Sequence, residues 1–197
     1  MLRLQNMPLD DKRLIESAAP VSGNLRIFSL HLDFPASVRA RWAVSIIKKL
    51  AGDHWHCSSE MWKIESLDPA GSIRRMLLDE AARADVILIA VSSLQQRETE
   101  LIHWLESLPV FVTDRPIPGL LIGLFGDETR RTRELDWTVK HFMNCARQTN
   151  RDFIWHWMEE PPLGEPEWLT SHICTFLSRK LTALDHHCFQ EPAAEFA

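Results

Sequence analysis

Five polar residues stand where this chain could do chemistry: His31, Asp33, Ser92, Ser93 and Asp127. Each ends or follows a short apolar run, residues 25–30 for the first two, 86–91 for the serines and 120–125 for Asp127. If those runs are neighbouring parallel strands, their carboxyl ends bring the five residues side by side. Open α/β sheets bind ligands and react at that end. Ser92 or Ser93 as nucleophile, with His31 as general base, would make a small hydrolase or transferase for an ester or nucleotide-like substrate. Polar residues at strand ends more commonly cap helices and form turns, so the cluster alone assigns no reaction.

Two histidine clusters offer metal chemistry. His54 and His56 share one side of an extended segment, with Cys57 next to them, and these are donor types that hold Zn²⁺. No further ligand lies close in sequence. Asp185-His186-His187-Cys188 matches the four-letter signature of membrane palmitoyltransferases, but the cysteine-rich region and membrane spans of those enzymes are missing, so the match is coincidence. Phosphate-bearing cofactors need backbone amides brought close to the phosphate, usually by glycine or small hydroxylated residues. The first such loop reads His31-Leu32-Asp33-Phe34-Pro35-Ala36-Ser37, and no glycine occurs between Gly23 and Gly52. No GxGxxG, GxxxxGKS/T or Ser/Thr-rich flavin loop is present. No flavin, dinucleotide or P-loop nucleotide is expected, and no cofactor is assigned.

The elements that must position these residues alternate. Apolar runs at 25–30, near 62–64, and at 86–91, 120–125 and 153–157 are separated by amphipathic helical patterns. Ala43, Ile46, Ile47 and Leu50 form the first helical stripe, which Gly52 ends. Asp68-Pro69 reads as the cap and first turn of the second helix. Helices are predicted over about 97–108, 130–147 and 166–184. With right-handed crossovers this gives a three-layer, doubly wound α/β sandwich with a five-stranded parallel sheet of order 2-1-3-4-5, flavodoxin-like or receiver-like. Helices one and five should lie on one face and the middle three on the other. Residues 1–23 read as a leader, disordered or a short helix. Residues 24–184 read as the domain and 185–197 as a loose tail.

Composition narrows the classes further. The 197 residues fit one domain, and 45% hydrophobic content suffices for its core. The net charge is −5, from 22 basic and 27 acidic residues spread along the chain, so no nucleic-acid partner is expected. The four cysteines form no CxxC pair and read as reduced thiols. No secretion signal or membrane span is evident, which points to the cytoplasm and no membrane partner.

Receiver domains share this topology, but they need an Asp ending the third strand, Thr or Ser ending the fourth and Lys ending the fifth. Here Ser92-Ser93 ends the third, Gly126-Asp127-Glu128-Thr129 follows the fourth, and no lysine follows the fifth until Lys180. An aspartyl phosphate cannot form at a serine. The stretches Met61-Trp62-Lys63-Ile64, Ala84-Asp85-Val86 and Ile102-His103-Trp104-Leu105-Glu106 resemble those of uncharacterised bacterial proteins with a degenerate receiver-like or flavodoxin-like fold. The resemblance spans about residues 25–160 and implies the fold without an activity. The chain is therefore expected to be a non-catalytic interaction module, possessing eight tryptophans and no tyrosine. Phe153, Trp155 and Trp157 share one face of the last strand, a sheet edge, where exposed aromatics would meet a protein partner or a second copy in a homodimer.

Overall fold

Two strands buried on both faces anchor the sheet: every residue of β3 (Val86–Val91) and β4 (Gly119–Phe125) is buried. Such runs carry no alternation because helices cover both sides. The computed structural model describes residues 23–67, 72–92, 98–112, 116–126 and 133–188. Around the central pair lie β1 (Gly23–His31), β2 (Trp55–Lys63) and β5 (Arg151–Trp157), all parallel, in the order β2-β1-β3-β4-β5. The fold is flavodoxin-like. Helices α1 (Phe34–Ala51) and α5 (Glu167–Cys188) pack on one face, and α2 (Ser72–Arg83), α3 (Glu98–Ser107) and α4 (Arg133–Gln148) on the other. That division is the expected one.

Two boundaries differ from expectation. β2 starts at Trp55 rather than near Trp62, and all nine of its residues pair with β1, from Gly23↔Trp55 to His31↔Lys63. Its alternation is faint because it is an edge strand whose His56, Ser58, Ser59 and Glu60 face solvent. α5 continues through Cys188, so residues 185–188 belong to a helix instead of a loose tail. Leu181 and Leu184 still pack on the core, and the backbone runs one turn past that last contact. Gly52 does end α1, at φ 57°, a region that favours glycine. The leader, the Asp68-Pro69 start and residues 189–197 lie outside the described residues. Among the described residues no helix is long and apolar enough to cross a membrane.

A buried arginine closes the lower end of the α2–α4 layer. Arg151 Nη2 donates to the carbonyls of Ala81 and Ala84 at 3.0 Å each, and Nη1 donates to Thr149 O at 3.2 Å. The last carbonyls of a helix have no partner within it, and burying them bare is costly. Ala81 O also accepts the Ala84 N–H at 3.2 Å, and Arg151 adds charged donors from a strand remote in sequence. Arg151→Met is therefore expected to lower unfolding stability by about 3 kcal/mol, since it removes the buried hydrogen bonds from a charged donor to Ala81, Ala84 and Thr149. An unchanged urea midpoint for this variant would refute the capping role.

Candidate functional site

At the carboxyl ends of β1 and β3 three side chains close on one another. Asp33 takes extended geometry after β1 and caps α1, its Oδ1 accepting the Ala36 N–H at 2.8 Å while its carbonyl accepts the Ser37 N–H at 2.9 Å. Pro35, between them, has no N–H. The chain's own carboxylate thus occupies the position at which a helix N-terminus would otherwise receive a phosphate. The same Oδ1 accepts the Ser92 hydroxyl at 2.8 Å, and Ser92 Oγ in turn accepts from Arg39 Nη2 at 2.6 Å. Arg39 also donates through Nη1 to Glu159 O, 3.3 Å away in the β5–α5 connection. Ser92 is therefore a hydroxyl bridge between a cation and an anion.

The electrostatics of this bridge are those of a tie. Arg39 is only 2% exposed and its Nε lacks a partner. Burial pulls its pKa down, the negative charge of Asp33 opposes that pull, and an arginine stays protonated regardless. A guanidinium donating to Ser92 Oγ draws electron density from the atom that would have to attack. Gly126 permits the close approach of β4's end: a Cβ there would lie 2.8 Å from Ser92 Cα and 3.1 Å from Arg39 Nη2. Arg39 and Gly126 were not among the residues the sequence singled out. The signal for Arg39 was its place on the buried stripe of α1, between Ala36 and Ala43.

His31 ends β1, but no hydrogen bond joins it to Ser92. Its Nδ1 is buried without a partner, and its polar surroundings are Lys63, Arg41, Asp33 and the Trp62 backbone. The bond that a serine–histidine mechanism requires is not formed. Ser93 and Asp127 lie outside the described residues. His54 and His56 are exposed and Cys57 is half-buried, with its thiol pushed up by burial against the pull of Lys48. Among the described residues no group of three His, Cys, Asp or Glu side chains is set to hold a metal. Cys145, inside the core, is pushed up to about 12 by burial and is no thiolate at neutral pH. Of the three edge aromatics, Phe153 and Trp157 pack partly against the α4 side of the core, whereas Trp155 is 40% exposed. Trp155 meets Phe125 edge-on at 6.1 Å.

A cleft of 430 Å³ opens at the opposite end of the sheet, lined in part by Arg26, Asp85, Phe111, Phe176 and Lys180. No motif announced it. Its two central charges hold each other, Lys180 Nζ donating to Asp85 Oδ1 at 2.6 Å, and Asp85 Oδ2 accepts the Arg26 N–H at 2.9 Å.

No protein-family model matches this chain, and no curated protein does. Among solved structures it is similar to an oxidoreductase from Corynebacterium diphtheriae (10% identity, TM-score 0.49, 84% of this chain and 98% of that one). It is also similar to a WrbA-like flavodoxin protein from Agrobacterium tumefaciens (11% identity, TM-score 0.46, 83% and 99%). A third is a short-chain flavodoxin associated with a non-canonical PDU bacterial microcompartment (10% identity, TM-score 0.46, 82% and 98%). Likeness at these identities concerns architecture and carries no ligand over.

Two measurements follow from the strand-end geometry. Ser92→Ala removes the bridge and leaves Arg39 and Asp33 short of a partner, so a stability loss of about 2 kcal/mol is expected by chemical denaturation. A neutral effect would mean that the tie does not hold the loops. Burial keeps His31 and His156 below their ordinary 6.5, and for His31 the charges of Lys63 and Arg41 add to it. The unfolded chain then binds more protons near that pH, so stability is full above about 6.5 and falls as the pH drops below it. His31→Gln and His156→Gln should each flatten the fall in melting temperature, and profiles parallel to the parent would rule the two histidines out as its cause.

Proposed function

We propose that this chain is a non-phosphorylatable, receiver-like domain that acts in bacterial signalling by binding another protein rather than by catalysis. The observation that carries the reading is the closed Asp33–Ser92–Arg39 circuit. Where phosphoryl transfer needs an acceptor carboxylate after β3, this chain has a hydroxyl that already donates to one group and accepts from another. Where a phosphate would need amides at the start of α1, Asp33 engages them. A side chain as large as Trp155 standing 40% exposed on the last strand suits contact with a protein surface. The hydrolase or transferase reading gains no support, since His31 and Ser92 are not bonded.

The test is thermal unfolding by tryptophan fluorescence with FMN, FAD, NAD, ATP or divalent metals, alongside labelling with radioactive acetyl phosphate. A ligand at one hundred times its dissociation constant adds about 2.7 kcal/mol, which moves the midpoint of a domain this size by several degrees. No shift and no label are expected. A reproducible shift with any compound, or label retained on the protein, would replace the interaction module with a ligand-binding or phosphoryl-accepting one.

A further inference from the structure

The outer side of β5 has an orderly chemical pattern. Gly119 donates its N–H to Asn150 O and Met158 donates its N–H to Phe125 O, at 2.9 and 2.8 Å. The even-numbered residues around β5 thus turn their backbone groups toward β4. Strand geometry alternates, so Phe153 and Trp155 turn theirs outward. Among the described residues β5 pairs with β4 alone and stands at the end of the sheet. The other edge, β2, is guarded by a polar run, His56 to Glu60 with Cys57 half-buried, and such residues blunt an edge. β5 offers Trp155 instead.

The sequence of β5 complements itself when it is reversed about Ile154. An antiparallel copy centred there sets Phe153 opposite Trp155 of the second copy and Asp152 opposite its His156. Phe153 and Trp155 are outward residues, so that pair can exchange both backbone hydrogen bonds, with aromatic beside aromatic. Asp152 and His156 fall at the other, closer type of position, where a carboxylate that already accepts from Arg179 faces an imidazole stacked on Trp168. An axis through Phe153 would set Asp152 against Ile154, and one through Trp155 would set His156 against Ile154 and Asp152 against Met158. Of these three axes, the one through Ile154 matches polar with polar and aromatic with aromatic. A groove of 510 Å³ between β5 and α5, lined by Asp152, Ile154, His172, Thr175 and Arg179 among others, runs along the same edge.

We infer that β5 pairs antiparallel with β5 of a second copy of this chain, about a two-fold axis at Ile154, joining the two sheets into one. This deepens the interaction reading above and rests on it, naming the partner as the chain itself. The full chain is expected to sediment as a dimer across the micromolar range. Trp155→Lys should raise the dimer dissociation constant at least about thirtyfold, as loss of a central tryptophan does. Trp137→Lys, at a comparably exposed tryptophan on α4, should leave it unchanged. Ile154→Cys in a Cys174→Ser background should form an intermolecular disulfide on oxidation, because facing Cα atoms at that type of position stand about 4.5 Å apart. The cross-link decides the matter even if Trp155→Lys fails to fold, with peptide mapping to place the bond. A monomer at every concentration, a dimer indifferent to Trp155→Lys, or no 154–154 bond would overturn the pairing. A monomeric chain that also binds nothing in the ligand panel would end self-pairing while leaving the interaction reading intact, whereas a ligand hit would end that reading itself.

Discussion

Burying β3 and β4 on both faces is the constraint on which the rest of the structure depends. A strand whose thirteen-residue total with its neighbour sees no water needs helices above and below, and it carries polar backbone into loops that begin inside the protein. Two arginines meet that need, one at each end of the sheet. Arg151 satisfies the end of α2 beneath the strands. Arg39 gathers the β1–α1 turn, the end of β3 and the β5–α5 connection above them. Each cation donates to several neutral oxygens, which spreads its charge over several dipoles at once.

The upper arginine also explains why a polar cluster at the reactive end of an α/β sheet need not be reactive. Asp33, Ser92 and Arg39 are the residue types of an active site, but their hydrogen-bonding capacity is largely spent on one another. A nucleophile needs a base with a vacant lone pair and an open approach. Ser92 has a carboxylate that is already capping a helix and a cation on its oxygen.

The sequence made the layers legible because they depend on long-range periodicity. Continuous apolar runs revealed β3 and β4, and the helical stripes revealed which helix covers which face. β2 was seen only at its end, since an edge strand exposed along His56 to Glu60 has little pattern to read. The site was half legible. Asp33 and Ser92 stood out as polar residues after apolar runs, and Asp33 does cap α1. Arg39 did not, because a charged residue in an amphipathic helix is normally on its wet face, and only its spacing from Ala36 and Ala43 said otherwise. That His31 makes no hydrogen bond to Ser92 and leaves its Nδ1 buried without a partner depends on side-chain orientation, which spacing does not encode.

The Arg151 cap carries a consequence for the order in which the chain is made. Ala81, at the end of α2, leaves the ribosome seventy residues before the guanidinium that completes it. β1, β2 and β3 can assemble as they emerge, but the charged donor to the Ala81 and Ala84 carbonyls comes only with the final strand. The last strand synthesised is thus the latch of the first half, and a nascent chain halted before it would expose an unfinished helix end along with the open side of β4.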